Sequence, residues 1–407
     1  MAKYSISILK DRPNSYPCTP DQSMVLARYN SGCPCVVVPS RADDYSVIEE
    51  KNSKLIVFGN RGTRERIEKL FRSIVNIEVF SRKICEIGDR WIAVTCQEEV
   101  IYCHQPFLTK DPIFWSENGG EKVASTDIKY LIQGYGSSNL DVASLVLSMS
   151  PLGAPWPFSR STVWNGVNRL SIGERLEIRG EDVKVERVWK FPEEYVDRNQ
   201  VLHELSNLLP SVVSNLVRSD GRVGVDCSGG LDSTAVVYML HHCACDIDAY
   251  HYVAADPSNE DHLWASQVLN DLSIMPHLIG NDSANIFFRS DLEIEEPDIE
   301  GPFSWSAGRT YLSTIAKSNI DNGVVNHFTG YGGDELFTAM PAQLWSNYQK
   351  YGLKSLPLLR RFAKKNRVNF FQLLSEARNR ATFFQIFSSL GRLERKDRSS
   401  IFRGGIR

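Results

Sequence analysis

Residues 223–234 read Val-Gly-Val-Asp-Cys-Ser-Gly-Gly-Leu-Asp-Ser-Thr. A short apolar run ends in a paired-glycine turn and passes directly into a helix-forming stretch. Gly229 and Gly230 let the backbone turn tightly and approach a ligand with no Cβ in the way. The N–H groups of such a turn, with the N-terminus of the helix that follows, form a cradle for phosphate or pyrophosphate. Ser228 and Ser233 add hydroxyl donors. Asp232 would be repelled by a phosphate, so its place in the turn makes sense with a Mg²⁺ ion between the two.

About 100 residues later comes a second glycine-rich element, Phe328-Thr329-Gly330-Tyr331-Gly332-Gly333-Asp334-Glu335-Leu336-Phe337, behind the apolar pair Val324-Val325. Three glycines again permit close backbone approach. Asp334 supplies a second carboxylate, and two carboxylates from different loops are a natural clamp for Mg²⁺ on a triphosphate. Glu335 either joins that site or caps the next helix. The common nucleotide motifs are absent: there is no G-x-x-x-x-G-K-[ST], and no G-x-G-x-x-G opens a helix in a βαβ setting.

The surroundings divide the chain near residue 198. Before it, Val36-Val38, Leu55-Phe58, Ile77-Phe80 and Trp91-Thr95 read as short strands, with the start Met1-Lys10 as a first strand. Val100-Cys103 completes a hairpin, and residues 170–189 form two further antiparallel strands turning at Gly173 and Gly180. After it, Val201, Leu202, Leu205, Leu208, Leu209, Val212, Val213, Leu216 and Val217 recur at helical spacing, with Pro210 inside the run. Strands near 223–225, 250–253 and 277–279 alternate with helices near 234–241 and 260–272, the pattern of a parallel α/β sheet. The boundary falls in the Pro- and charge-rich residues 191–199. Beyond Phe337 the strand signals stop, and residues 362–393 read as a helical segment with a cationic face.

Charge follows the same division. The net charge is only −3, so a chain-wide nucleic-acid footprint is absent. Residues 354–407 nevertheless carry 14 Lys/Arg against 3 Asp/Glu, making a basic appendage on an acidic body. No apolar stretch is long enough for a membrane span, and the start has too short an apolar core for a signal peptide. Nine Cys in a long chain point to reduced cytoplasmic thiols rather than a disulfide framework. The spacing His241-His242-Cys243-Ala244-Cys245 is cramped for a tetrahedral metal and reads as a helix end with buried thiols. Cys33-Pro34-Cys35 reads as structural, and the acidic run Glu293, Glu295, Glu296, Asp298, Glu300 as a solvated loop.

Ser-Gly-Gly-Leu-Asp-Ser resembles the pyrophosphate loop of the N-type ATP pyrophosphatases. Paired with Thr-Gly-Tyr-Gly-Gly-Asp-Glu-Leu-Phe in this order and spacing, it is similar to the asparagine synthetase superfamily, whose members include asparagine synthetase, β-lactam synthetase and the lasso peptide cyclases. The resemblance covers most of 198–337 and extends faintly into Asp111-Trp115, Val123-Leu131 and Ser161-Glu174. It implies two domains. Residues 1–197 would be an α+β Ntn-hydrolase-like (glutaminase-like) domain. Residues 198–407 would be an α/β PP-loop synthetase domain of the adenine nucleotide alpha hydrolase type, ending in a basic helical segment. It also implies a reaction: a carboxylate attacks the α-phosphate of ATP, and an amine displaces AMP from the adenylate to give an amide. On that resemblance Ser228, Gly229, Gly230 and Ser233 hold pyrophosphate, Thr329 and Gly330 lie against the nucleotide, Asp232 and Asp334 hold Mg²⁺, and Tyr331 serves the amine.

Glutamine-using members of that group need a Cys exposed on removal of the initiator Met. Position 2 here is Ala and the first Cys is Cys18, so the expectation is no glutaminase activity and an amine already carried by the substrate. The Gly-Asp-Glu-Leu-Phe ending is more like asparagine synthetase and the lasso cyclases than β-lactam synthetase. A late Lys that the group uses has no assignable counterpart in residues 338–407. The leading expectation is a lasso-cyclase-type macrolactam synthetase acting on an Asp or Glu side chain of a precursor peptide. A leader peptidase and a leader-binding protein are the partners implied by the resemblance. An ammonia-using asparagine synthetase, a β-lactam synthetase and an ATP-binding scaffold are the rivals.

Overall fold

In the first half, short runs of β-branched and aromatic residues such as Val36-Val37-Val38 and Leu55-Ile56-Val57-Phe58 are bounded by polar and turn residues, and the chain pairs into antiparallel strands. A computed structural model describes residues 7–8, 23–39, 45–50, 53–59, 61–74, 76–87, 92–97, 100–105, 112–117, 122–134, 139–149, 160–180, 182–190, 196–217, 221–254, 256, 258–279, 299–301, 309–337 and 341–379. One sheet contains β1 (Ser7–Ile8), β2 (Ser23–Arg28), β3 (Pro34–Pro39), β8 (Phe114–Ser116), β9 (Val123–Ser125) and β10 (Val167–Arg169), in the order β10-β8-β9-β1-β3-β2. The other contains β4 (Tyr45–Glu50), β5 (Ser53–Phe58), β6 (Ile92–Gln97), β7 (Val100–His104), β11 (Glu174–Arg179) and β12 (Asp182–Arg187), in the order β12-β11-β7-β6-β5-β4. Every pairing in both is antiparallel.

The period-2 pattern of β5 shows how the layers stack. Ile56 and Phe58 meet Val36, Val38 and Ala124 of the facing sheet. Leu55 and Val57 point the other way, against Ile67 of α1 (Arg61–Ser73) and Phe80 and Ile84 of α2 (Ile77–Cys85). The first sheet is covered in turn by α3 (Ile128–Gly134), whose Ile128 and Leu131 pack on Val37, Phe114 and Val167. A further short helix, α4 (Val142–Ser148), is capped by Asp141. Two antiparallel sheets therefore lie between two helical layers.

One expectation fails here. Residues 77–80 are not a strand but the start of α2, because the Asn76 side chain accepts from the N–H groups of Glu78 and Val79 and begins a helix. Phe80, Ile84 and Cys85 then fall on one buried face.

The second half is a parallel sheet of β13 (Arg222–Asp226), β14 (Ile247–Tyr252), β15 (Pro276–Ile279) and β16 (Val324–Phe328), ordered β15-β14-β13-β16. Helices α5 (Arg198–Leu216), α6 (Leu231–His242) and α7 (Asp261–Asp271) cover one face, where Val213, Val237, Leu240, Ala265 and Leu269 pack on Val223, Val225 and Ala249. Helix α8 (Arg309–Asp321) brings Ile315 and Tyr311 to the other face, against Tyr250 and Ile279. The chain winds outward from β13 to β15, then crosses back to lay β16 on the opposite side of β13. The strand order thus reverses between β13 and β16, and the crevice at the carboxyl ends of those two strands is where such sheets bind ligands.

The strands do stop after Phe337 among the described residues. Helices α10 (Pro341–Tyr351), α11 (Leu356–Asn366) and α12 (Phe370–Arg378) pack on one another through Leu344, Leu359 and Ala377. The helical reading of residues 362–393 breaks at Arg367, whose φ of +54° ends α11. Arg360, Arg361, Lys364 and Lys365 are exposed on α11. Residues 299–301 tie the halves together: Trp164 Nε1 donates to the Ile299 carbonyl, and Gly301 lies against Val163. The acidic run before Ile299 and the tail from 380 onward lie outside the described residues, as do Cys18 and residues 191–195. Among the described residues no helix is long and apolar enough to cross a membrane.

Candidate active site

Both glycine-rich elements stand at the switch point, one at the end of β13 and one at the end of β16. The first loop turns at Gly229, whose φ is +87°. A Cβ there would meet the Asp261 carbonyl oxygen at 2.5 Å and the Ala265 nitrogen at 3.0 Å, so the glycine lets the loop pack against the start of α7. Gly230 caps α6 without a side-chain bond, which leaves orphan N–H groups at the helix start for an anion. Helix α6 starts at Leu231, earlier than the sequence suggests, so Asp232 and Ser233 sit in its first turn. The two serines hold the loop in shape. Ser228 Oγ and Ser233 Oγ are 2.9 Å apart, Ser233 Oγ accepts from the Ser228 N–H at 3.2 Å, and Ser228 Oγ accepts from the Gly230 N–H at 3.3 Å.

The second loop lies directly on the first. A Cβ on Gly330 would stand 2.6 Å from the Ser233 nitrogen, and one on Gly333 would overlap the Asp232 carboxylate at 2.2–2.5 Å. These two glycines are therefore needed for loop-to-loop contact. Gly332 is needed instead for its φ of +94°, since nothing lies within 4 Å of it. The loop closes with Gly333 N–H to the Gly330 carbonyl at 3.3 Å and Tyr331 N–H to Thr329 Oγ1 at 3.4 Å. It then enters the single turn α9 (Gly333–Phe337). Tyr331 is 66% exposed, and Thr329 and Asp334 are exposed as well. The backbone of Glu335 lies in α9. Ser228, Gly229, Gly230, Asp232, Ser233, Gly330 and Gly333 are thus brought together, and Thr329, Tyr331 and Asp334 stand on the loop that faces them.

Behind the loops is a polar group that sequence reasoning missed. His327 Nε2 lies 3.0 Å from Asp226 Oδ1, and its Nδ1 lies 3.1 Å from the Asn319 amide of α8. Gly224 makes the room, because a Cβ there would stand 2.6 Å from His327 Nδ1. Tyr250 is tilted against His327 with ring centroids 5.5 Å apart and stacks on His277 at 5.0 Å. His277 in turn bonds Asp248 at 2.8 Å. Burial pushes the Tyr311 phenol up, and the charges of Asp226, Tyr331 and Tyr252 add to that. The only signal in the sequence is a polar residue, Asp226 or His327, in each apolar run just ahead of its glycine loop. Cys227 is buried, which raises its thiol. Cys243 and Cys245 are half-buried at the end of α6, where Cys243 Sγ approaches the Pro210 carbonyl at 3.9 Å. No group of three or more His, Cys, Asp or Glu among the described residues is placed to hold a metal.

Residues 204–400 match the asparagine synthase family, a span that contains the whole parallel sheet and both loops. A curated protein from Methanocaldococcus jannaschii, described as a putative asparagine synthetase (glutamine-hydrolyzing) 2, is 24% identical over 150 residues. The match covers 35% of this chain and 28% of that protein, so the chain spans little more than a quarter of the relative's length. Among solved structures, the NH3-dependent NAD synthetase of Campylobacter jejuni is similar over 46% of this chain and 93% of its own, at 13% identity and a TM-score of 0.26. The glutamine phosphoribosylpyrophosphate amidotransferase of B. subtilis is similar over 73% of this chain and 77% of its own, at 9% identity and a TM-score of 0.25. Both scores lie below the level at which a shared fold follows.

Proposed function

We propose that the chain is an ATP-dependent, AMP-forming amide synthetase. The observation that carries this reading is the contact of the two glycine loops at the switch point, where Gly330 and Gly333 lie on Ser233 and Asp232. In this reading Ser228, Gly229, Gly230 and Ser233 hold the pyrophosphate end of ATP, while Thr329 and Gly330 lie against the nucleotide. A substrate carboxylate oxygen attacks the α-phosphorus and the bond to pyrophosphate breaks. An amine then attacks the acyl carbon, the C–N bond forms, and AMP leaves with the electron pair of the C–O bond. Such a site accelerates reaction by holding the reactants in line and by placing donors where charge develops. Tyr331 is the candidate that helps the amine lose its proton, with Glu335 as its neighbour in sequence.

Mg²⁺ fits the residues present. Asp232 and Asp334 are hard oxygen donors on two touching loops, and this ion is usually held by one or two carboxylates together with phosphate oxygens. When bound, the ion neutralises charge on the phosphates.

The finer reading is a macrolactam synthetase of lasso-cyclase type. It would adenylate an Asp or Glu side chain of a precursor peptide and close the ring with the peptide's own N-terminal amine. The resemblance of Gly330-Tyr331-Gly332-Gly333-Asp334-Glu335-Leu336-Phe337 to the lasso cyclases supports it, and asparagine synthetase shares that resemblance. The four-layer sandwich would be its glutaminase-like domain. Free thiols at all eight described cysteines suit a reducing compartment such as the cytoplasm. The second reading is an asparagine synthetase, the activity in the description of the M. jannaschii relative, which is there glutamine-hydrolyzing; in this chain ammonia would take the place of glutamine.

One experiment tests both readings: AMP and pyrophosphate release from ATP and Mg²⁺, with aspartate plus ammonium in one tube and a candidate precursor peptide in the other. Turnover only with peptide, giving a product lighter by one water, is the expected result. Turnover with aspartate and ammonium overturns the cyclase reading. Binding of ATP without turnover in either tube favours a scaffold.

A further inference from the structure

The Asp226–His327 pair has no role in holding ATP as described above. Nor is it placed like an ordinary structural ion pair. Its two residues are the last side chains on this face of β13 and β16 before the glycine loops begin. The backbone ladder between the strands ends at Val225 and Phe328, so the pair faces the ligand crevice at the carboxyl ends of the sheet. A carboxylate only accepts hydrogen bonds, so His327 Nε2 carries the proton and donates it to Asp226 Oδ1. The Asn319 amide against Nδ1 and the slot left by Gly224 fix the ring from the other side.

This arrangement holds a carboxylate in one orientation without sealing it off. The Asp226 side chain is 17% exposed. One oxygen is taken by His327, and no described residue bonds the other. The Tyr250 ring lies against the His327 side of the pair. Tyr311 feels the charges of Asp226 and Tyr331, and its ring meets Tyr252 edge-on at 5.8 Å. A fixed carboxylate two residues before a pyrophosphate loop is electrostatically wrong for phosphate. A fixed carboxylate with one oxygen open is instead suited to an ammonium group.

We infer that Asp226, oriented by His327 and Asn319, receives the attacking amine of the second substrate and accepts its proton. The inference rests on the adenylation reading above and assigns the acceptor side of that site. A free α-amine is largely protonated near neutral pH. Asp226 attracts it as the ammonium ion and accepts a proton as the amine becomes neutral and attacks. The C–N bond forms and the acyl C–O bond to AMP breaks; of the two protons then on nitrogen, one leaves to water with the help of Tyr331 and the other stays as the amide N–H, while Asp226 returns its own proton to water. Asp226 is then the catalytic carboxylate of this step, and His327 and Asn319 are positioning residues.

The test uses the full chain with ATP, Mg²⁺ and whichever carboxylate substrate supports ATP–pyrophosphate exchange, taken from free aspartate, free glutamate and the candidate precursor peptide. Asp226→Asn should keep exchange within about threefold of the unsubstituted protein and lower amide formation by about 100-fold. Hydroxylamine, already neutral at pH 7, should trap the adenylate as hydroxamate at an unchanged rate in the same variant. His327→Gln, which keeps an N–H donor, should show the same split with a loss of roughly 10-fold, and it carries the test alone where Asp226→Asn does not fold. Loss of exchange in proportion to amide formation overturns the inference, because the pair is then a clasp for the loops. Unchanged amide formation overturns it too. An unsubstituted protein with no exchange on any of the three substrates overturns the adenylation reading, and the inference falls with it. Exchange without sensitivity to Asp226 overturns the inference alone.

Discussion

Glu174 in the antiparallel sandwich and Asp226 in the parallel sheet are both carboxylates set against a cation-forming partner, and their surroundings differ in kind. Glu174 is fully buried. It meets Arg160 in a short ion pair, has Arg187 at 3.7 Å and accepts from the Ser171 N–H at 2.9 Å. Its neighbour Arg175 is 3% exposed, reaches Glu186 at 2.7 Å and Ser81 at 2.8 Å, and lies over the Tyr102 ring. Among the described residues Asp226 has one oriented partner, and its side chain stays 17% exposed. A buried carboxylate with its partners on several sides is doing structural work, because each oxygen already has an answer. One that is fixed but still accessible at the end of a strand is poised for a ligand. The sandwich should therefore fail by unfolding when its polar groups are disturbed, and the parallel sheet by losing chemistry.

The largest effect expected is on the sandwich in acid. His104 is fully buried on β7, 3.2 Å from Thr95 Oγ1. Burial, and then the charge of Arg175, lowers its pKa to about 3. The unfolded chain binds that proton near pH 6.5, so between these values the unfolded state holds more protons. Its contribution to stability is present above about pH 6.5 and lost as pH falls towards about 3, with a ceiling of roughly 5 kcal/mol. About 2 kcal/mol should go between pH 7 and pH 5. Amide hydrogen exchange at β7 measures it. His104→Gln should flatten that acid dependence, and an unchanged slope would sink the argument.

Next in size is Arg160→Ala, which among the described residues leaves Glu174 buried with only the more distant Arg187 as a charge partner. Urea unfolding should show a loss of about 3 kcal/mol. Replacing the partner as well, as Arg160→Ala with Glu174→Leu, should recover much of it, since the cost lies in the stranded charge. The ATP site should be untouched in both variants.

The converse test sits in the parallel half. Gly330→Ala puts a methyl group 2.6 Å from the Ser233 backbone nitrogen, where no side-chain rotation gives relief. The loops must move apart, and ATP–pyrophosphate exchange should fall by about 100-fold, equivalent to about 2.7 kcal/mol. Gly332→Ala, with open space around it but a φ of +94°, should instead cost about 1 kcal/mol of local stability and leave more of the exchange activity. Equal losses from the two substitutions would mean that loop contact is not what the first glycine supplies.

The pattern of what could be read from residues alone follows from range. The strand, glycine turn and helix around Ser228 were legible because each signal is local and all agree. The alternation of strand and helix also identified a parallel sheet. The switch point was not legible, since strand order depends on which side of β13 the chain returns to, some 100 residues later. For the same reason Asp226, His327 and Asn319 gave only the weak hint of polar residues in apolar runs. Their meeting, and the slot at Gly224, exist only after β16 pairs with β13. The Glu174 and Arg175 networks were hidden in the same way, inside an alternating strand pattern that marks charged residues as solvent-facing. In β11 Arg175, on the face opposite Leu176 and Ile178, meets Ser81 of α2 instead of solvent.

That helix is also where local reading failed outright, and the smallest prediction addresses it. Ile77-Glu78-Val79-Phe80 has the β-branched and aromatic composition of a strand, and four residues are too few for periodicity to decide. The decision lies one residue earlier, where Asn76 Oδ1 accepts from two backbone N–H groups at 2.8 and 3.2 Å. With those donors satisfied the helix starts, Phe80 turns into the layer above β5, and it meets Phe71 edge-on at 5.3 Å. Asn76→Ala should cost about 1 kcal/mol, read as lower hydrogen-exchange protection across α2. Asn76→Asp, which keeps the acceptor and adds a favourable charge at the helix start, should hold or raise that protection. If both substitutions behave alike, the cap is not what turns this strand-like sequence into a helix, and the packing of Phe80 against Ile67 and Phe71 must do so instead.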